Sequence, residues 1–358
     1  MKNNTSTPAA GQPTPNGGEG QHLPSETYLQ YVKRQFRKNR LARVALYFTY
    51  FMFIVAIFAD FLANDRPIAC GYKGEFYMPV VQEYLKDLGM YKYPKELNNV
   101  DWKSLEYDWS LFPPVRYHGN GIDGANPFVA PLTSGSNHYL GTDQLGRDLL
   151  AGLIHGARIS LSVGFISMSI AAFIGISLGA IAGFFGGWVD ILISRLIELF
   201  LNFPTLFLII TIVAFFGPNI FFMMAVIGLT GWTGIARLIR GEVLRIRNME
   251  YITAANSIGF PAFRIIWRQV LPNALAPVLV SIAFGIAGAI LTESTLSFLG
   301  LGVPTEVVTW GSILDGSRTA TFAWWMAIFP GFMIFLSVVS YNLIGDGLRD
   351  ALDPRLKT

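Results

Sequence analysis

Residues 159–189 read ISLSVGFISMSIAAFIGISLGAIAGFFGGWV, a stretch bounded by Arg158 and Asp190 that contains no charged side chain. An α-helix needs about 20 apolar residues to cross the hydrocarbon core of a bilayer, and this run is longer than that. In lipid such a run is helical, because within one segment only a helix satisfies every backbone N–H and C=O without water. Gly175, Gly179 and Gly183 recur every four residues and so share one face of the helix. Small residues at that spacing let two helix backbones approach closely, which matters where packing rather than water exclusion drives association. A second uncharged stretch runs from Leu199 to Ile235. Over all 358 residues only 14% are charged and 52% are apolar, against about 25% charged in soluble domains. These features define an all-α polytopic membrane protein.

Length and turn signals place six transmembrane helices at about 43–63, 159–185, 192–216, 220–238, 273–295 and 322–345. Gly186-Gly187 closes the second, and Gly217-Pro218-Asn219 divides the long uncharged stretch into two. An even number of crossings puts both termini on one side. Basic residues near spans are normally retained in the cytoplasm. Lys33, Arg34, Arg37, Lys38, Arg40 and Arg43 lead into the first span, and Arg237, Arg240, Arg245, Arg247, Arg264 and Arg268 fall between the fourth and fifth. Arg349, Arg355 and Lys357 follow the last, whereas the short segments on the other side hold Arg318 as their only basic residue. Both termini are therefore expected in the cytoplasm. Trp310, Trp324 and Trp325 are expected to form an aromatic belt at the outer boundary.

The flanking regions carry less signal. Residues 1–42 read as a cytoplasmic tail, disordered over about the first 26 residues, where Pro, Gly, Thr and Asn dominate, and basic thereafter. Lys2 is followed by polar residues, so no cleavable signal peptide is expected and the first span, 43–63, serves as the insertion signal. Residues 64–140 break the membrane pattern with charges of both signs, many tyrosines and the turn signals Pro113-Pro114 and Gly119-Asn120-Gly121. They read as an extracytoplasmic insert whose internal structure is not legible. Cys70 is the only cysteine, which excludes an internal disulfide and a cysteine-based metal site. His22, His118, His138 and His155 have no metal-ligand spacing, so no metal ligands are assigned. A net charge of only +3 gives no reason to expect nucleic acid as a partner.

The functional reading rests on residues 251–272, YITAANSIGFPAFRIIWRQVLP, between the fourth and fifth spans. Good helix-forming sequence around Ala254 and Ala255 ends sharply at Gly259 and Pro261, and a second short helix leads into Leu271-Pro272. This spacing resembles the signature loop of bacterial ABC importer permeases: Glu-Ala-Ala, three residues, Gly, nine residues, Ile, one residue, Leu-Pro. Ala254, Ala255, Gly259, Leu271 and Pro272 stand at the matching intervals; Thr253 replaces the Glu and Gln269 the Ile, with Glu250 about one turn earlier as a partial stand-in. In that family the loop, here 250–272, is a coupling helix that docks in a groove on the ATP-binding subunit. Mechanically, a short rigid helix fixed to two spans can act as a lever for rigid-body movement.

A second resemblance narrows the family. HYLGTDQLGRD at 138–148, followed by GARISL at 156–161, looks like the entry to the core of dipeptide and oligopeptide permease C-type subunits. LTESTLSFLGLG at 291–302 and DGLRDALDP at 346–354 are similar to the same family, although the insert is longer than its common members carry. Thr142 and Asp143 read as N-caps of an interfacial amphipathic helix over 141–158, with Leu145, Leu149, Leu150, Leu153 and Ile154 on one face. Asp143 and Asp148 read as capping and solvated charge rather than as metal ligands. The resemblance implies an ABC transmembrane type-1 core over 159–346 and a cytoplasmic tail over 347–358. It further implies a second homologous permease, two ATP-binding subunits that carry ATP and Mg, an extracytoplasmic solute-binding protein, and a bacterial cytoplasmic membrane location. No cofactor is expected on this chain itself. Peptides are the implied cargo, with nickel or another solute as the alternative.

Charges within spans usually face the bundle interior and pair. Arg195 and Glu198, three apart in the third span, read either as pathway residues or as a structural ion pair. Glu293, at the outer end of the fifth, reads as a pathway residue or as a group reaching headgroup water. Pro204 either kinks the third span or is merely tolerated there. Catalysis finds no support, since HExxH and a Walker-type loop are absent and the single GxSxG match, 175–179, lies within a span. Secondary transport needs coupling-ion groups near the midplane, often with an inverted repeat, and neither is evident.

Overall fold

The structure, a computed structural model, describes residues 28–352 apart from 95, 96, 98, 99 and 305. The disordered-tail expectation for residues 1 to about 26, His22, and the last residues of the C-terminal tail lie outside the described residues. Five helices are long and apolar enough to cross a membrane, and six crossings result if one bent pair is counted as a single span.

The chain enters through a basic helix, α1 (Tyr28–Lys38), and turns at Asn39, whose side chain caps α2 (Arg40–Ile57) by accepting a 3.1 Å bond from the Ala42 N–H. A short α3 (Ala59–Leu62) leads into the insert. There β1 (Ala69–Tyr72), β2 (Glu75–Tyr77) and β3 (Trp109–Leu111) form an antiparallel sheet in the order β2-β1-β3. Lys73 (φ 53°) and Gly74 (φ 80°) make the two-residue hairpin turn, both in the left-handed region such turns require. Helix α4 (Pro79–Asp87) begins on a proline, whose missing N–H costs nothing at a first turn. Cys70, Tyr77, Leu97 and Trp102 make a small core of their own, and burial pushes the Cys70 thiol up to about 11. This sheet is the one departure from an all-α chain among the described residues, and no periodic pattern announced it.

The interfacial helix expected over 141–158 does not form as a separate element. Residues 141–148 form a loop closed by a bridge between Thr142 and Asp148, and α5 (Leu149–Phe185) runs unbroken from the insert through the span. The N-cap is Asp148, which accepts a 2.7 Å bond from the Ala151 N–H, not Thr142 or Asp143. Asp143 instead accepts bonds from the backbone N–H groups of Leu145 and Arg147 and from Arg147 Nε, and Thr142 ties the Asn126 carbonyl to the Val129 N–H. Each short polar side chain satisfied a turn rather than the first turn of a helix.

Beyond Gly186 the chain returns through α6 (Gly187–Leu201) and α7 (Thr205–Phe216), which meet at an angle of 76° with Pro204 at the start of α7. Pro204 therefore sits at a break in the expected third span. Asn219 caps α8 (Ile220–Arg247), which packs parallel to α5. The glycine stripe lies at that contact: an added Cβ at Gly175, Gly179 or Gly183 would stand 2.8, 2.5 or 2.8 Å from the carbonyl oxygens of Trp232, Ala236 and Arg240 respectively. From α8 the chain passes through α9 (Glu250–Ser257), α10 (Ala262–Ile265) and a π-helical turn at Ile266–Val270 into α11 (Leu271–Phe298). Helix α12 (Trp310–Gly316) caps the insert end of the bundle, and α13 (Trp325–Leu352) returns to the other end, extending into the expected C-terminal tail. There Gly347 packs on Phe36 and Ala42, so the described chain begins and ends at the same end of the bundle as the 250–272 turn.

Two of the three tryptophans expected in an aromatic belt are core residues. Trp310 is fully buried and donates from Nε1 to the Leu153 carbonyl (3.0 Å); Trp325, 4% exposed, donates to the Thr142 carbonyl (3.0 Å). Only Trp324 is exposed. An indole N–H that finds a backbone acceptor can be buried as readily as it can sit at an interface.

Candidate functional site

The 250–272 segment forms two short helices joined by a tight turn at the end of the bundle. Gly259 has φ +85°, and its N–H reaches the Asn256 carbonyl (3.0 Å) while the Phe260 N–H reaches that of Ala255 (3.2 Å). These two bonds close α9 by satisfying carbonyls that its last turn leaves open. A Cβ at Gly259 would meet nothing within 4 Å, so the requirement for glycine there is conformational rather than one of space. Ile252, Ile265 and Val270 are fully buried and Ala255 and Leu271 nearly so, which anchors the turn to the bundle. Thr253, Ala254, Gly259 and Pro272 face outward. They share that surface with Tyr251, Ile258, Phe263 and Trp267, the last three more than half exposed. Phe263 and Trp267 lie 5.9 Å apart, and Arg264 covers the Phe260 ring at 4.4 Å. The result is a rigid, apolar, arginine-flanked knob of the kind that suits a groove on another protein.

A groove on the side of the bundle, about 470 Å³, is lined by Thr205, Thr230, Gly231, Gly234, Ser281, Gly288 and Thr292 among others. Gly234 and Gly288 have open space where a side chain would project, which separates them from the close-packed glycines of α5. These positions carry no distinct signal in the sequence. Their signal, hydroxyls and glycines at three- and four-residue spacing on α8 and α11, is indistinguishable in sequence from a packing stripe.

The span charges fall into two kinds. Arg195 and Glu198 form an exposed ion pair (2.5 Å) with each other on α6, away from the groove. Glu293 is fully buried: it accepts from Ser297 Oγ (2.8 Å) and from Ser160 and Ser294 Oγ (both 3.3 Å). Ser160 Oγ in turn accepts from the Trp310 N–H (3.3 Å), and Thr309 caps α12 in a reciprocal box with Ser312. The carboxyl thus reaches neither a pathway surface nor headgroup water in this structure; it knits α5, α11 and α12 together. A third charged contact, Arg240 with Asp190, joins α8 to α6 through two hydrogen bonds, one of them 2.7 Å.

At the opposite end Asp60 on α3 accepts from the Tyr84 hydroxyl and from Arg158 Nη2 (2.8 Å) on α5. Arg66 pairs with Glu83 beside it, lining a cavity of about 420 Å³ between insert and bundle. Here the fold brings His118 and His155 against Asp60, a grouping that sequence spacing did not reveal because the residues come from three separate segments.

The architecture is that of a helical membrane protein with an exposed apolar turn at one end of the bundle. Residues 175–358 match the family model described as the inner membrane component of binding-protein-dependent transport systems, and residues 27–73 match the N-terminal transmembrane domain of oligopeptide transport permease C. The dipeptide transport system permease protein DppC of Alkalihalophilus pseudofirmus is 43% identical over 70% of this chain and 82% of its own length. A peptidoglycan transport system permease protein, YejE of Agrobacterium fabrum, is 31% identical over 90% of this chain and 92% of its own. Among solved structures, the MetNI methionine ABC transporter aligns with a TM-score of 0.47 at 17% identity, over 56% of this chain and 95% of that one. This chain belongs to the inner membrane components of binding-protein-dependent transport systems.

Proposed function

We propose that the chain is one of two permeases in an ATP-driven peptide importer of the bacterial cytoplasmic membrane, with both termini in the cytoplasm. The observation that carries the reading is the 250–272 turn: an outward-facing apolar knob held by buried Ile252, Ile265 and Val270 and closed by Gly259 in the left-handed conformation. Separate ATP-binding subunits hold ATP and Mg, receive the knob in a groove, and move it as they close. Because α9 to α11 are continuous with α8, that movement passes into the spans as a rigid-body shift. The proposed route for cargo is the groove lined by Thr230, Ser281 and Thr292, completed by the facing surface of a second, homologous permease. Its hydroxyls and bare glycines fit a cargo handled through backbone amides rather than one recognised by charge. An extracytoplasmic solute-binding protein delivers the cargo to the insert end, and Arg195 with Glu198 serves as a structural pair. Peptides are the proposed class because relatives at 43% identity are named for dipeptide transport.

The test is uptake of labelled di- and oligopeptides into proteoliposomes that hold this chain with its co-encoded subunits. Accumulation that requires ATP, the ATP-binding subunits and the binding protein supports the reading. Uptake driven by an ion gradient without those subunits contradicts it.

A further inference from the structure

Asp60, His118 and His155 each offer one ligand atom, and the three atoms lie within 4.8 Å of one another. His155 is 9% exposed, and its Nε2 stands 2.7 Å from the Ala63 carbonyl oxygen. A carbonyl only accepts, so the ring proton sits on Nε2 and Nδ1 carries a bare lone pair. That lone pair lies 3.9 Å from Asp60 Oδ1. Two acceptors so placed call for a cation between them. Oδ2 of Asp60 is already engaged by Arg158 and Tyr84, which leaves Oδ1 as the oxygen to be shared. An imidazole whose second nitrogen is anchored on a backbone carbonyl is the usual support for a metal-bound histidine. His118 completes the group, its ring 4.5 Å from that of His155. Gly119 permits this approach, since a Cβ there would stand 2.9 Å from His155 Cβ. His118 Nδ1 accepts one 3.2 Å bond from the Asn120 N–H, which metal capture through either nitrogen would release.

We propose that Asp60, His118 and His155 bind one divalent transition-metal ion of the zinc and nickel type. Two imidazoles and a single carboxylate suit such borderline ions, whereas magnesium and calcium take oxygen ligands. Cavities of about 420 and 230 Å³ meet at Asp60, His118 and Arg158, giving an entry path and room for coordinated water. Bound metal ties the end of the first span, the loop around His118 and the start of α5 into one unit. Asn120 in that loop also donates to the Glu306 carbonyl, so the clamp extends to the segment before α12. The proposal stands independently of the cargo, since it concerns the junction between insert and bundle.

The experiment is titration calorimetry of the chelator-treated transporter complex, purified without a polyhistidine tag, using zinc chloride, nickel chloride and magnesium chloride in turn. The expected result, in the absence of nucleotide, is one equivalent of zinc or nickel bound per complex, weakened at least tenfold in both His118→Ala and His155→Gln, and no magnesium binding that depends on His118. His118 is half-buried in a loop, so His118→Ala keeps the test informative if the buried variant fails to fold. Absence of zinc and nickel binding, affinity unchanged in His118→Ala, or equally tight magnesium binding that His118→Ala removes would each overturn the proposal.

Discussion

A Cβ at Gly179 would stand 2.5 Å from the Ala236 carbonyl oxygen, whereas one at Gly259 would meet nothing within 4 Å. The two glycines are therefore required for different reasons, and substitutions separate them. Gly179→Val forces α5 and α8 apart and is expected to destabilise the protein by about 1–3 kcal/mol, read as a lower thermal midpoint in detergent. At Gly259 the cost is the left-handed backbone, about 1–2 kcal/mol for an ordinary residue and less for asparagine. Gly259→Asn should retain more transport than Gly259→Val, while both insert and accumulate normally; equal transport in the two would show that the turn's conformation does not matter. Glu293 gives a third contrast. Glu293→Gln keeps an acceptor for Ser297, whereas Glu293→Ala leaves buried hydroxyls unpaired at about 1–3 kcal/mol. The alanine variant is expected to melt well below the glutamine variant.

At the level of elements, the junction of insert and bundle depends on carboxylates. The Glu83 carboxyl lies below its ordinary value of 4.5: burial opposes its charge, but the hydrogen bond and charge of Arg66 overcome it. Groups depressed in the folded state stabilise it above their unfolded values, and that contribution is lost as pH falls through the folded values. Limited proteolysis of the insert should therefore accelerate as pH falls below about 4.5, and Glu83→Gln should remove that step. A step left unchanged in Glu83→Gln would mean that other groups hold the insert. Elements made by one periodic run were legible in sequence. The glycine stripe of α5, the breaks at Gly186 and Gly217, and the close of α9 at Gly259 each follow from local chemistry. The start of α5 was not legible, because Thr142, Asp143 and Asp148 are equally good caps in isolation. Only their partners, Asn126 and Val129 for Thr142, Leu145 and Arg147 for Asp143 and His138 for Asp148, decide that the first two serve turns and Asp148 the helix. Trp310 and Trp325 were misplaced for the same reason: their carbonyl acceptors lie 157 and 183 residues away.

For the whole molecule, apolar length gave the membrane class, and among the described residues Gly347 near one end packs on Phe36 and Ala42 near the other. The insert's sheet and the grouping of Asp60, His118 and His155 were not legible, since each is assembled from segments far apart in the chain. The bundle also leaves large apolar side chains exposed along its length, among them Phe173, Trp188, Phe215 and Phe221. Lipid covers some of these, and the proposed sister permease covers those beside the groove. The proposed coupling through residues 250–272 requires that this chain never works alone. The most direct measurement is co-purification of the tagged chain in mild detergent, with its partners identified by mass spectrometry. Recovery of a homologous permease and ATP-binding subunits is the expected result, and it should be lost when Ile258 and Phe263, the exposed apolar pair of the turn, are both replaced by aspartate. A stable chain recovered alone or only with copies of itself would contradict the account.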